Sequence, residues 1–114
     1  MFSLFKSANP VREIAAAEVK RMLDAHEGFI LLDVRSPQEY RTKHIPGSRS
    51  LPLDRLAKDA AAILTDPALP IVTYCQAGGR SARAAKLLTQ LGYRNVANLG
   101  GINSWPYETE PGDG

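Results

Sequence analysis

The chain has 114 residues, a formal net charge of +2 and 23% charged side chains, which suits one globular domain and leaves no room for a second. At this length roughly two thirds of the unfolded surface can be buried, so neither a metal nor a disulfide is needed as a staple, and the single cysteine cannot form an internal bridge. The small charge, with no run of Lys or Arg, argues against nucleic acid as a partner, and the longest apolar stretches fall far short of the roughly 20 residues that span a bilayer, so no membrane partner is expected.

In chain order, residues 1–11 read as an N-terminal extension without the apolar core or cleavage site of a signal peptide. With one free thiol, this gives the expectation of a cytoplasmic protein. An extended piece around Arg12 to Ile14 precedes a helical run at 15–27, with Val19, Met22 and Leu23 at helical spacing and Gly28 as its terminator. FILLDV at 29–34 is a near-continuous apolar run of the kind buried on both faces of a parallel sheet. Ser36, Pro37 and Glu39 then supply a capping box with proline at N1, which starts a short helix. HIPGS at 44–48 is a turn, SLPL at 50–53 a short strand, and Asp54 to Leu64 a helix closed by Asp66-Pro67. IVTYC at 71–75 is the next buried strand, Ser81 to Leu91 a helix ended by Gly92, and NVANL at 95–99 the last strand. Such alternation predicts an α/β domain over 12–106 with a mainly parallel sheet of about five strands between helical layers. Residues 107–114 are expected to form a flexible tail.

The stretch from Cys75 to Ser81 (CQAGGRS) carries the chemistry. It joins the C-terminal end of a strand to the start of a helix, where ligands bind in open α/β sheets. Gly78 and Gly79 let the loop curl so that its N–H groups turn inward and, with the helix N-terminus, form an anion cradle around the sulfur. Such a setting lowers a thiol pKa and makes Cys75 a nucleophile. Gln76 and Ala77 complete the cradle, Ser81 supports it, and Arg80 adds a permanent charge with a planar donor fork. A buried structural cysteine before a glycine turn is the plain alternative; its position at a strand end, with a helix behind, favours function.

Three motifs in order resemble the rhodanese family: LLDVRSPQEY at 31–40 with HIPGS at 44–48, CQAGGRS at 75–81, and NLGGINSW at 98–105. Lys43 stands where the family usually has Gly before the His, and Ser48 where Ala is common. The resemblance implies a rhodanese-like three-layer α/β/α fold and a sulfurtransferase in which Cys75 carries sulfur as a persulfide. The sulfur would come from thiosulfate or a persulfide donor, a small anion, and pass to cyanide, a thiol or a protein acceptor, with no cofactor beyond the covalent persulfide. It also implies that sulfurtransferases have four residues between Cys and Arg and related phosphatases one more. Here the count is four, and the position one further on is Ser81. A phosphatase or arsenate reductase is therefore disfavoured, and a non-catalytic interaction module remains the alternative.

Other candidates are weaker. Asp33 and Arg35 close the preceding strand. Arg35 either binds the donor anion or pairs structurally, and Asp33 is expected to support the site. His44 is expected to be structural and His26 solvated at a helix end. No spacing of His and Cys suggests a metal site, and no coiled-coil repeat marks an oligomer interface.

Overall fold

The computed structural model describes residues 11–113, so the expected N-terminal extension lies, Val11 apart, outside the described residues. Five strands form one sheet: β1 (Arg12–Glu13), β2 (Ile30–Asp33), β3 (Arg49–Ser50), β4 (Ile71–Cys75) and β5 (Val96–Gly101). Their order is β1-β5-β4-β2-β3 and every pairing is parallel. Helices α1 (Ala16–Asp24), α2 (Pro37–Thr42), α3 (Leu53–Ile63) and α4 (Gly79–Gln90) surround it, and a 3-10 turn, Ile102–Ser104, follows β5. This is the α/β architecture that the alternating pattern predicts.

The central strand β4 is buried along its whole length, as a strand flanked on both edges and covered on both faces must be. Its side chains divide by the two-residue period of a strand. Ile71 and Cys75 join Leu32, Leu56, Ala84, Ala85 and Leu88 on the side of α3 and α4. Val72 and Tyr74 join Leu31, Val19, Ile102 and Trp105 on the side of α1. Each fully buried aliphatic side chain here stabilises the fold by about 1.5–3 kcal/mol relative to an exposed one.

Several element boundaries differ from the sequence reading. Helix α1 stops at Asp24, before Gly28: Ala25 is its C-cap and His26 takes the left-handed conformation with φ +53°. Glu27 N–H then reaches the carbonyl of Met22 and His26 N–H that of Leu23, the paired bonds of a Schellman motif with His in glycine's usual place. The strand expected over 50–53 shrinks to Arg49–Ser50, because Leu53 already opens α3. Helix α4 begins two residues early, at Gly79. The capping box of α2 is present in both directions, Ser36 to Glu39 and back.

The segment after Trp105, expected to be loose, is tied back onto the domain. Glu110 forms an antiparallel bridge with His44 through two backbone hydrogen bonds of 2.8 and 2.9 Å. Gly112 N–H reaches the carbonyl of Arg41, and the indole N–H of Trp105 donates to the carbonyl of Glu108 at 3.0 Å.

Candidate active site

Sheet register assembles the site at the C-terminal edge of the three central strands. Asp33 pairs with Tyr74 on one side of β4, and Cys75 with Gly101 on the other. A bulge between Thr73 and Tyr74 shifts the β4–β5 register, so that Asn98 faces Thr73 but Gly100 faces Tyr74. That shift sets Gly101 beneath the cysteine loop. A Cβ there would overlap the carbonyl oxygen of Gln76 and lie 2.8 Å from Cα of Ala77, so the close approach admits only glycine.

Cys75, at the end of β4, points into a turn made by Gln76, Ala77 and Gly78, with Gly78 as N-cap of α4 at φ +119°. The N–H of Gly78 donates to Sγ at 3.0 Å. The Ser81 hydroxyl lies 3.4 Å from Sγ, 3.0 Å from the carbonyl oxygen of Gly78 and 3.2 Å from that of Gly100. Burial pushes the thiol pKa up; the Ser81 hydroxyl and the N–H groups of Ser81, Gly78 and Ala77 pull it down and prevail, leaving it below its ordinary value. The N-terminus of α4 adds a partial positive charge on the same side. Ser81 is itself fully buried and its carbonyl accepts from Thr73 Oγ1 at 3.0 Å, which ties the start of α4 to β4.

Asp33 and Arg35 are both buried and grip each other. Arg35 Nε lies 3.0 and 3.1 Å from the two carboxylate oxygens, and Nη2 donates to Asp33 Oδ2 and to the carbonyl of Lys43, each at 2.7 Å. Nη1 donates to Gln76 Oε1 at 3.1 Å, which links this pair to the cysteine loop. Lys43 thus enters the site through its carbonyl, as the extended C-cap of α2. The Gln76 amide in turn donates to Asn103 Oδ1, and Asn103 N–H donates to the carbonyl of Gln76.

Arg80 faces outward from the first turn of α4 and meets Glu39 in a two-pronged pair of 2.8 and 3.0 Å. This pair, before its cap contacts with Ser36, holds the Glu39 carboxyl down at about 2. Glu39 therefore serves two elements: it closes the capping box of α2 and clamps α4. In the sequence it is legible only as a helix cap. Asn103 carries no signal there, and the role of Gly101 depends on a bulge that strand periodicity does not reveal. Of the residues singled out in the sequence, the loop, Ser81, Arg35 and Asp33 lie together around Cys75, and Arg80 stands at the rim. His44 lies away from the sulfur, fully buried, stacked on Tyr40 at 3.8 Å and bonded to the Tyr40 carbonyl and to Glu110.

A free thiol in a backbone cradle, at the C-terminal edge of a parallel five-stranded sheet, defines the class of domain. The chain belongs to the rhodanese-like domain family, whose model matches residues 15–108. It is 32% identical over 106 residues to the putative sulfur carrier protein YrkF of Bacillus subtilis, a match covering 92% of this chain but only 56% of that protein. It is 34% identical over 71 residues to the thiosulfate sulfurtransferase PspE of Escherichia coli, covering 62% of this chain and 68% of that one. Among solved structures, the Alr3790 protein of Anabaena superposes with a TM-score of 0.80 at 29% identity, covering 87% of this chain and 92% of that one. Among the described residues no helix is long and apolar enough to cross a membrane, and no group of three or more His, Cys, Asp or Glu is placed to hold a metal ion.

Proposed function

We propose that this chain is a sulfurtransferase that takes a sulfane sulfur onto Cys75 and hands it to a thiophilic acceptor. The observation that carries the reading is the hydrogen bond from Gly78 N–H to Sγ inside a loop with four residues between Cys75 and Arg80. The cradle stabilises a thiolate before reaction and the negative outer sulfur of a persulfide after it.

In the first half-reaction the Cys75 thiolate attacks the outer sulfur of thiosulfate or of an organic persulfide. The bond behind that sulfur breaks, and sulfite or a thiolate leaves with the electron pair. Neither leaving group needs a proton, so the absence of a basic partner beside Sγ is no obstacle. In the second half-reaction cyanide, a thiol or a protein thiolate removes the outer sulfur and restores Cys75. The acceptor must come from outside, because the sequence holds one cysteine. Cys75 is only 1% exposed, so the donor reaches Sγ when the loop 76–79 moves aside. Gln76, Ala77, Gly78 and Gly79 receive the transferred sulfur. Asp33, Arg35 and Ser81 hold that loop in shape. The reaction uses no cofactor other than the persulfide itself, and a cytoplasmic, reducing setting suits it.

Incubation with thiosulfate or glutathione persulfide is expected to add the mass of one sulfur atom to the wild-type chain, and cyanide is expected to remove it as thiocyanate. Cys75→Ala is expected to lose both. Equal thiocyanate release by wild type and Cys75→Ala would overturn the reading, as would hydrolysis of a phosphate ester without any sulfur adduct.

A further inference from the structure

Of the four residues between Cys75 and Arg80, only Gln76 has a side chain that can hydrogen-bond. Gly78 is fixed from within α4, because its carbonyl accepts from Ala82 N–H and from the Ser81 hydroxyl. The span in front of it, Gln76 and Ala77, is held at Gln76. Ala77 is exposed and its N–H faces the buried Sγ. Arg35 can only donate, so Gln76 turns its carbonyl oxygen toward Arg35 Nη1 at 3.1 Å and presents its NH2 group to Asn103 Oδ1. Asn103 also donates its backbone N–H to the Gln76 carbonyl at 3.2 Å. Asn103 itself is exposed, but Ile102 and Trp105 root its short turn in the core.

We infer that Asn103 is a positioning residue which, through Gln76, clasps the cysteine loop shut, and that release of this clasp sets how often Sγ becomes accessible. The side-chain bond between Gln76 and Asn103 is exposed, so water replaces it at small cost and the clasp can open. The polarity of the chain of bonds dictates what position 103 must supply. With Arg35 fixing the Gln76 oxygen, only an acceptor at 103 can hold the Gln76 NH2 group. The inference concerns access to the thiol, whatever reacts there; its bearing on donor and acceptor entry rests on the proposed sulfurtransferase reading.

The test follows the rate of Cys75 alkylation by iodoacetamide against pH, with a thermal scan to check that each variant is folded. Asn103→Ala is expected to raise the high-pH plateau about fivefold, the worth of one ordinary hydrogen bond. Its midpoint should stay at the wild-type pH, because the Gly78 N–H and the Ser81 hydroxyl still face Sγ. Asn103→Asp keeps an acceptor for Gln76 and should hold the wild-type plateau. Gln76→Ala has already lost the clasp, so adding Asn103→Ala to it should change the plateau no further. An unchanged plateau in Asn103→Ala, a rise shared by Asn103→Asp, or a further rise in the double variant would each overturn the inference. Sulfur uptake from thiosulfate is measured on the same proteins. If the plateaus behave as expected while no variant takes up sulfur, the sulfurtransferase reading falls and the clasp stands.

Discussion

The hydroxyl proton of Ser81 has three acceptors within reach: Cys75 Sγ and the carbonyls of Gly78 and Gly100. When the sulfur is protonated, its own S–H can point to the Ser81 oxygen and leave the hydroxyl to a carbonyl; when the sulfur is negative, the hydroxyl gains by turning toward it. Each choice keeps the buried groups satisfied, so the thiolate forms without stranding a donor. The thiol pKa lies below its ordinary value because these bonds outweigh burial. The rate of Cys75 alkylation by a small reagent should therefore reach half its maximum at a lower pH than for an ordinary free cysteine. Ser81→Ala removes a stabiliser of the charged form while burial stays, so its midpoint should move to higher pH. A midpoint that does not move would assign the depression to the loop amides alone. At this scale the sequence discloses Cys75 and its glycines, because the whole cradle is local in the chain. It does not disclose the partner of Arg80, since Glu39 lies 41 residues away and reaches it through the fold.

Among the elements, the junction of β5 with the cysteine loop tolerates least. Gly101 has an extended backbone, φ −113°, that any residue can adopt, so its requirement is steric: a methyl group would collide with the backbone of Gln76 and Ala77. Gly101→Ala is expected to cost about 2 kcal/mol, the scale of overpacking in a close-packed interior, and to displace the loop from Sγ. Denaturant midpoints together with the alkylation profile check both effects; a variant as stable as wild type with an unaltered profile would contradict the close approach. Strand periodicity places β4 correctly to the residue, because five consecutive buried positions read as an apolar run. The start of α4 is less legible, since Gly79 and Arg80 carry no helix signal and become helical only by continuing the turn that wraps the sulfur. The end of α1 misleads for a related reason: an exposed His26 takes the left-handed position that glycine usually fills, so Gly28 draws the eye two residues too far.

For the molecule as a whole, a mainly parallel sheet of about five strands follows from the alternation of elements together with the continuous apolar character of β2 and β4, whereas the order β1-β5-β4-β2-β3 is read from the structure. The C-terminal segment does not follow from its composition. Polar and glycine-rich as it is, it bridges to His44, whose neighbour Lys43 holds Arg35 through its carbonyl. Removing residues 107–114 would strip Glu110 from a fully buried His44 and the Glu108 carbonyl from Trp105. Unmet buried polar groups cost about 1–3 kcal/mol each. Allowing for relief by entering water, truncation after Pro106 should cost about 2 kcal/mol and lower Tm by roughly 10 °C. An unchanged Tm would show that the bridge adds nothing to stability.

The burial of Cys75 sets time as well as charge. Under the proposed sulfurtransferase reading, a sulfur held on Cys75 beneath residues 76–79 would be out of reach of passing peroxide or stray thiols until that loop opened. How long the cargo survives, and how quickly a chosen acceptor can claim it, would then be governed by one local motion. In such a carrier the loop acts as a clock, and an acceptor that speeds its opening gains an advantage over more abundant competitors.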